Sequence, residues 1–153
     1  MKTAIVLFNL GGPDGQSAVR PFLFNLFFDP AIIGLPGPLR WLIARWISSR
    51  RAPVAREIYG QIGGGSPLLA NTESQAKALE RALGSGFKCF IAMRYWHPRA
   101  DVQARAVAAW QPDRVILVPL YPQFSATTTA SSLREWHAAA QRVGLTAPET
   151  ILC

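Results

Sequence analysis

The stretch Thr3–Leu10 has the sequence TAIVLFNL, and the turn signal Gly11-Gly12-Pro13-Asp14 follows it directly. A continuous apolar run without alternation is typical of a parallel strand that is covered on both faces of its sheet. The next residues, Gln16–Phe28, predict a helix. A buried strand, a tight turn and a helix are the opening of an α/β unit, so this stretch decides the fold class.

The rest of the chain repeats the alternation of strand and helix. Further strands are predicted at Phe87–Tyr95, Arg114–Leu120 and Glu149–Cys153, and further helices at Ala100–Trp110 and Ser131–Val143. Such a pattern favours an α/β fold with an open, mostly parallel sheet flanked by helices and joined by right-handed crossovers. We expect residues 1–153 to form a single domain, whose strand order one sequence does not reveal.

Two local signals mark the ends of the last helix. Ser132 and Glu135 have the spacing of a capping box, and Gly144 fits the position just past a helix end. A long insertion, Asp29–Ser66, separates the first two strands and is rich in Pro, Trp and Arg. An insertion at the carboxyl-end rim of a parallel sheet is a place where a ligand site is expected.

Within the insertion, the segment Leu39–Ser49 predicts a helix with one apolar face. A core helix is one interpretation, and a helix at a membrane surface is the other, because Trp41 falls on the opposite, arginine-bearing face. The apolar face consists of Leu39, Leu42, Ile43, Trp46 and Ile47.

Composition narrows the class of protein. Of the 153 residues, 50% are hydrophobic and only 16% are charged, which excludes intrinsic disorder. The net charge of +7 favours an anionic partner: nucleic acid, anionic lipid or a small polyanion. No nucleic-acid-binding motif is recognisable, so we expect no nucleic-acid partner.

Cysteine usage and hydropathy indicate the compartment. Cys89 and Cys153 are the only cysteines, too few for a disulfide framework, so a reducing compartment is expected. The most apolar stretch, Pro21–Trp46, is interrupted by polar residues and prolines, and Thr3–Leu10 lacks a signal-peptide cleavage site. We expect a cytoplasmic protein, with peripheral contact to a membrane as an alternative.

Four segments carry residues suited to chemistry. Arg50-Arg51 is either an anion clamp or a solvated basic surface, and Gly63–Pro67 (GGGSP) is either an anion cradle or a turn. Arg94–Pro98 (RYWHP) ends the second predicted strand and Tyr121–Ser125 (YPQFS) follows the third, and the carboxyl ends of strands are where sheet proteins hold ligands. No ligand-spaced His, Cys or carboxylate accompanies His97, so no metal site is predicted.

Together these segments resemble the ferrochelatase family, enzymes that insert Fe(II) into a porphyrin in heme biosynthesis. The matching pieces run in order through the chain: NLGGPD at 9–14, RRAP at 50–53, Tyr59 with IGGGSP at 62–67, RYWHP at 94–98, and YPQFS at 121–125 with Thr127-Thr128. The resemblance implies two similar α/β domains with a porphyrin cleft between them. This chain resembles the N-terminal domain only, and we expect the second domain to be absent from it.

The resemblance also implies roles for single residues. Leu10 matches a residue of the cleft wall, and Arg94 and Tyr95 match residues near the macrocycle face. Tyr121 matches a residue on the path of the metal. The lip that takes up porphyrin and rests on the membrane is matched by Leu23, Leu26 and Phe27, and the propionate-binding positions by Arg51, beside Arg50, and by Tyr59 and Ser66. We expect the arginine pair, the glycine bend and the lip to form one pocket.

Three departures from the family pattern qualify this assignment. Val54 stands where some relatives carry a basic residue, and Ala126 stands where some carry an iron–sulfur ligand cysteine. The family's metal-site His and its acidic partner belong to the second half. The resemblance therefore implies no catalytic residue, metal site, resident cofactor or iron–sulfur cluster in this chain, with Fe(II) as a substrate.

The expected function is porphyrin binding, with weak iron insertion by the isolated chain or none. Two alternatives come from the same residues. A small chelatase could form its cleft as a homodimer, because the short fourth strand would leave an unpaired sheet edge. A non-enzymatic tetrapyrrole-binding module is the other.

Overall fold

The computed structural model describes residues 1–152, and Cys153, which we assigned to the fourth strand, lies outside the described residues. The chain divides into two compact units, one formed by Met1–Leu10 with the chain from Ala70 onwards, the other by Gly11–Leu69. The elements are β1 (Thr3–Asn9), a 3-10 turn (Gln16–Ala18), α1 (Val19–Phe27), α2 (Gly37–Gln61), α3 (Leu68–Leu83), β2 (Phe87–Met93), α4 (Ala100–Trp110), β3 (Arg114–Pro119), α5 (Thr129–Arg142) and β4 (Glu149–Ile151).

The first unit contains a four-stranded sheet in the order β2-β1-β3-β4, in which every neighbouring pair is parallel. The prediction of an α/β fold with an open parallel sheet is confirmed. Asn9 lies opposite Met93, and Phe8 lies opposite Pro119, so the carboxyl ends of β2, β1 and β3 meet at one edge of the sheet. This edge is where the residues after three predicted strands come together.

β1 is the central strand, and its residues Ala4–Phe8 are all at most 3% exposed. On one face Ala4, Val6 and Phe8 join a core cluster that includes Trp136 of α5. On the other face Ile5 and Leu7 join a smaller cluster with Ala76 of α3. Burial on both faces explains why the strand is apolar at successive positions rather than at alternate ones.

The helices of the sheet unit agree with the sequence to different degrees. α4 has the predicted bounds, and Gly144 follows α5 with φ of +66°, as a glycine past a helix end does. α5 begins at Thr129, so Ser132 lies inside the helix and the predicted capping box is wrong. α3 was not predicted, because its buried face is made of small residues such as Thr72 and Ala76.

The second unit packs α1 against α2. α2 is 25 residues long with Pro53 inside it, far beyond the predicted Leu39–Ser49. Its buried residues are Ala44, Ser48 and Ala52, spaced every four positions. Small residues at this spacing form a flat stripe on which another helix can pack closely.

The predicted apolar face of α2 is not its core face. Leu39, Leu42 and Trp46 are 47%, 57% and 63% exposed, so the core-helix interpretation is wrong for these three residues. The stripe of Ala and Ser is buried instead of the bulkier residues, which leaves the latter on the surface. Among residues 1–152, no helix has both the length and the apolar character needed to cross a membrane.

Candidate functional site

A groove of about 650 Å³ lies between α1 and α2, and we call it the α1–α2 groove. On α2 the lining residues occur in pairs at every fourth position, which places them on one side of the helix. The residues of α1 supply the facing wall. The groove is lined by Leu23, Leu26 and Phe27 of α1 and by Arg50, Arg51, Val54, Ala55, Ile58 and Tyr59 of α2.

The chemistry of the groove is apolar with a basic end. Val54 and Ile58 are 61% and 56% exposed, unusually high for residues of this kind. The Arg50 guanidinium lies 5.7 Å from the centre of the Trp46 ring. Within residues 1–152, neither Arg50 nor Arg51 forms an ion pair with a carboxylate. Both guanidiniums are therefore available to an anionic ligand.

Tyr59 adds a neutral polar group to the same groove. Burial raises the pKa of its phenol above the ordinary value of 10.0, because removal of water disfavours the phenolate. The hydroxyl therefore keeps its proton at neutral pH and can either donate or accept a hydrogen bond. The groove combines an apolar wall, two cations and one phenol, which suits a flat apolar molecule with acidic substituents.

The triple glycine ends α2 rather than lining the groove. Gly63 and Gly64 have φ of +98° and +90°, a conformation that residues with a side chain rarely adopt. The Gly64 amide donates a hydrogen bond to the Tyr59 carbonyl at 2.7 Å. These glycines turn the chain sharply after the helix, as the turn interpretation of this motif expects.

Ser66 lies just before α3, and it is not among the residues that line the α1–α2 groove. Its amide donates to the Pro13 carbonyl at 2.7 Å, and its hydroxyl accepts a hydrogen bond from the Leu68 amide at 3.3 Å. The hydroxyl therefore satisfies an amide of the first turn of α3. We expected the lip, the arginine pair and the glycine bend to form one pocket. The structure brings the lip, the arginine pair and Tyr59 together in the α1–α2 groove, but Ser66 is not among its lining residues.

Gly12 packs directly on Ser66, and this contact is testable. A Cβ atom built at Gly12 overlaps both Cβ and Oγ of Ser66, whereas a Cβ built at Gly15 meets no atom within 4 Å. We expect Gly12→Ala to lower the free energy of unfolding by about 1–3 kcal/mol through overpacking. Urea titration followed by circular dichroism measures it. Gly15→Ala is the matched control, and equal stability of the two variants would contradict the assigned contact.

A second set of predicted site residues lies at the carboxyl edge of the sheet. The Arg94 amide donates to the Asn9 carbonyl at 2.9 Å, and the Tyr95 amide donates to the Leu10 carbonyl at 3.0 Å. These bonds continue the pairing of β2 with β1 beyond the strand ends. Leu10, Arg94, Tyr95 and Tyr121 each follow a strand at this edge. The sequence predicted this position for Tyr121, whereas Leu10, Arg94 and Tyr95 were predicted as the last residues of their strands, which end one or two residues earlier.

The Arg94 guanidinium is held by groups of the sheet unit. Its Nε donates to the Ser131 hydroxyl at 2.8 Å, and its Nη1 lies 3.2 Å from a carboxylate oxygen of Glu135. Glu135 also accepts a hydrogen bond from Arg99 at 2.5 Å. The same guanidinium lies 4.9 Å from the centre of the Tyr95 ring. One carboxylate therefore serves two arginines and fixes the orientation of Arg94.

Tyr121 is fixed in the same region. Its hydroxyl lies 2.8 Å from that of Ser132, and either oxygen can be the donor. Burial raises the pKa of the Tyr121 phenol above 10.0, the nearby Glu135 carboxylate raises it further, and Ser132 and Arg94 oppose the rise. The phenol is therefore neutral at physiological pH.

Sequence reasoning missed Ser131, Ser132 and Glu135 as partners of the predicted site. The only signal was the Ser132–Glu135 spacing, which we interpreted as a helix cap although these side chains bond to Tyr121 and Arg94 instead. In the part of the chain that the structure describes, no three or more His, Cys, Asp or Glu side chains are grouped closely enough to hold a metal ion.

The sequence also matches a known protein family. The model of the family described as Ferrochelatase matches residues 2–152, nearly the whole chain. This chain belongs to the ferrochelatase family. The resemblance stated from the five ordered motifs is thereby confirmed.

Individual relatives belong to the same family and show how much of a ferrochelatase this chain spans. A ferrochelatase of Caulobacter vibrioides (strain NA1000 / CB15N) is 63% identical over 140 residues, covering 88% of this chain and 40% of the relative. A ferrochelatase of Wolbachia sp. subsp. Drosophila simulans (strain wRi) is 56% identical over 149 residues, covering 95% of this chain and 47% of the relative. The chain spans less than half the length of these two ferrochelatases.

Proposed function

We propose that this chain is the N-terminal, porphyrin-binding part of a ferrochelatase, which inserts Fe(II) into a porphyrin in heme biosynthesis. The observation that supports the proposal most directly is the α1–α2 groove, where an apolar wall adjoins two arginines without carboxylate partners. The combination of an apolar wall with two cations indicates the class of substrate. A porphyrin is a flat apolar ring with two propionates, so it presents both complementary surfaces.

The free energy of binding has two sources in this scheme. The ring loses water against Leu23, Leu26 and Phe27, at about 25 cal/mol for each Å² of apolar surface buried. The propionates form charge-assisted hydrogen bonds with Arg50 and Arg51, which orient the ring in the groove. Because Val54 stands where some relatives have a basic residue, the arginine pair carries more of this contact here.

The reaction sets a limit on what the chain does by itself. Metallation replaces two pyrrole protons with a dication, so it needs a base placed at the ring. The resemblance assigns the metal-site His and its acidic partner to the second half of the family's chain. It assigns Leu10, Arg94, Tyr95 and Ser66 to porphyrin contacts and Tyr121 to the Fe(II) path. The chain therefore binds and orients porphyrin, and it inserts iron slowly or not at all.

A titration of the purified chain with protoporphyrin IX, followed by the Soret absorbance, tests this proposal. We expect Arg51→Ala to weaken binding by about tenfold or more, because a hydrogen bond to a charged group is worth about 1.5–3 kcal/mol. Arg134→Ala, which removes an exposed arginine of α5, is the control and should bind like the native chain. The native chain and both variants should bind protoporphyrin dimethyl ester equally, because the ester carries no propionate charge.

Two results would overturn the proposal. Absence of any Soret change on mixing would exclude porphyrin binding, and equal losses in Arg51→Ala and Arg134→Ala would exclude a role for the groove. An iron-insertion assay on the same samples measures turnover, and robust turnover by a monomer would contradict the predicted need for a second half.

Two alternatives about partners are tested by separate measurements. β4 is a three-residue strand at the sheet edge with all its residues exposed, which favours a homodimeric chelatase paired along that edge. Sedimentation of a stable monomer would exclude it. The exposed Leu39, Leu42 and Trp46 favour peripheral contact with a membrane, which flotation with anionic vesicles measures.

A further inference from the structure

A second cavity, of about 470 Å³, lies in the same unit and shares no lining residue with the α1–α2 groove. It is lined by other residues of the same two helices and of the 3-10 turn. Arginines contribute three of its side chains, Arg20, Arg45 and Arg56, and Phe24 and Trp41 contribute aromatic rings. We call it the arginine cavity. Nothing in the porphyrin scheme uses it.

The charge of the arginine cavity is uncompensated. No carboxylate is among the residues that line it. Within residues 1–152, none of the three arginines forms an ion pair with an acidic side chain. Like charges gathered around a small concave space repel one another, and the walls of a cleft strengthen their field. An anion bound there would remove this repulsion.

Arg56 is held in place by contacts that leave its outer nitrogens for a ligand. Its Nε donates to the Gln16 carbonyl at 3.1 Å, and the Gln16 side-chain amide donates to the Arg56 carbonyl at 3.1 Å. This reciprocal pair ties the 3-10 turn to α2. In the described part of the chain, neither terminal nitrogen of Arg56 has a hydrogen-bond partner. A guanidinium fixed in this way loses little entropy when an anion binds.

The aromatic side chains form a wall beside the charges. Phe24 and Trp41 meet edge to face, with ring centres 6.5 Å apart and planes at 76°. The Arg45 guanidinium lies 5.5 Å from the centre of the Trp41 ring. Trp41 is the residue whose position on the arginine-bearing face a core helix does not explain. The wall gives an apolar surface next to cationic donors.

We propose that the arginine cavity binds a phosphomonoester carried on an aromatic or apolar body. A phosphomonoester has three terminal oxygens, so it can accept hydrogen bonds from all three arginines, whereas a carboxylate has only two. Its organic body packs against Phe24 and Trp41. The volume of about 470 Å³ lies within the range of about 300–1,000 Å³ typical of small-molecule sites. A soluble ester and a phospholipid headgroup share this chemistry.

Calorimetric titration with 1-naphthyl phosphate tests the soluble source. We expect Arg20→Gln and Arg45→Gln each to weaken binding by about tenfold or more. Arg134→Gln, with the same loss of charge on α5, should bind like the native chain. Arg20 and Arg45 are exposed, so both variants should fold, and their melting temperatures confirm it. Phe24→Leu should lower the affinity for 1-naphthyl phosphate and leave the affinity for inorganic phosphate unchanged.

Other results of these titrations would overturn the proposal, and a vesicle experiment tests the lipid source. Equal affinity for 1-naphthol and 1-naphthyl phosphate would overturn the proposal, as would equal losses in Arg45→Gln and Arg134→Gln. Flotation with phosphatidic acid vesicles tests the lipid source, and binding there that depends on Arg20 and Arg45 supports a headgroup ligand. Failure to bind in both arms overturns the proposal. Porphyrin titration of the same variants should be unchanged, because Arg20 and Arg45 do not line the α1–α2 groove.

Discussion

Replacing Trp136 with alanine should lower the free energy of unfolding by about 3–5 kcal/mol, the cost of removing a large aromatic from a packed core. Trp136 is fully buried in the cluster over β1, and its ring meets Phe8 edge to face with centres 5.8 Å apart. Its Nε1 donates to Glu149 at 2.8 Å, which ties α5 to the edge strand β4. The substitution removes both the packing and this hydrogen bond.

Urea unfolding followed by far-ultraviolet circular dichroism measures the loss. Trp46→Ala is the matched control, since Trp46 is 63% exposed and its removal should change stability by about 0.5 kcal/mol or less. If Trp136→Ala does not fold, Trp136→Phe is the milder variant: it keeps an aromatic side chain in the core but loses part of the packing volume and the hydrogen bond to Glu149. Equal stability of the Trp136 and Trp46 variants would contradict the assigned core.

Glu135→Gln should destabilise the chain by about 3 kcal/mol, because it leaves two arginines without their shared carboxylate. The side chains of Arg94 and Glu135 are only 14% and 22% exposed, and that of Arg99 is 29% exposed. Because these side chains keep partial contact with water, the expected loss of stability lies at the lower end of the range for breaking a buried ion pair. The variant should also loosen the orientation of the Arg94 guanidinium, which keeps its hydrogen bond to Ser131, so a porphyrin titration of Glu135→Gln reports on its positioning.

Asp101→Asn provides the control for the loss of an acid. Asp101 pairs with Arg105 at 3.0 Å on the surface of α4, where the side chains are 48% and 63% exposed. A pair so exposed contributes about 0–1 kcal/mol. Thermal unfolding of both variants gives the comparison. A loss for Glu135→Gln no larger than that for Asp101→Asn would show that Glu135 does not organise Arg94.

Much of the candidate site was predictable because it rests on local order along the chain. The groove residues of α2 recur every fourth position from Arg50 to Tyr59, so one continuous helix suffices to place them on one side. The partners of Arg94 were not predictable in this way. Glu135 lies more than forty residues further along the chain, and its spacing from Ser132 resembles a helix cap. Only the crossover of α5 over the sheet brings that carboxylate to Arg94.

The arginine cavity was also predictable only in part from the sequence. The sequence displays a dense group of arginines, but it does not distinguish a solvated surface from a concave site. Arg20 lies on α1, and Arg45 and Arg56 lie on α2, so their common cavity requires the pairing of the two helices. That pairing depends on Ala44, Ser48 and Ala52, small residues that carry little hydrophobic signal.

The sequence alone determined the fold class, the parallel strands and the family, because apolar runs and short ordered motifs are properties of neighbouring residues. The tertiary structure decided the strand order, the length and buried face of α2, the existence of α3 and the placement of Ser66 before α3. Each of these depends on which surfaces fit together at a distance along the chain. Small residues allow the closest fit between such surfaces. They also contribute least to the hydrophobicity pattern of a sequence, so the pattern does not reveal these contacts.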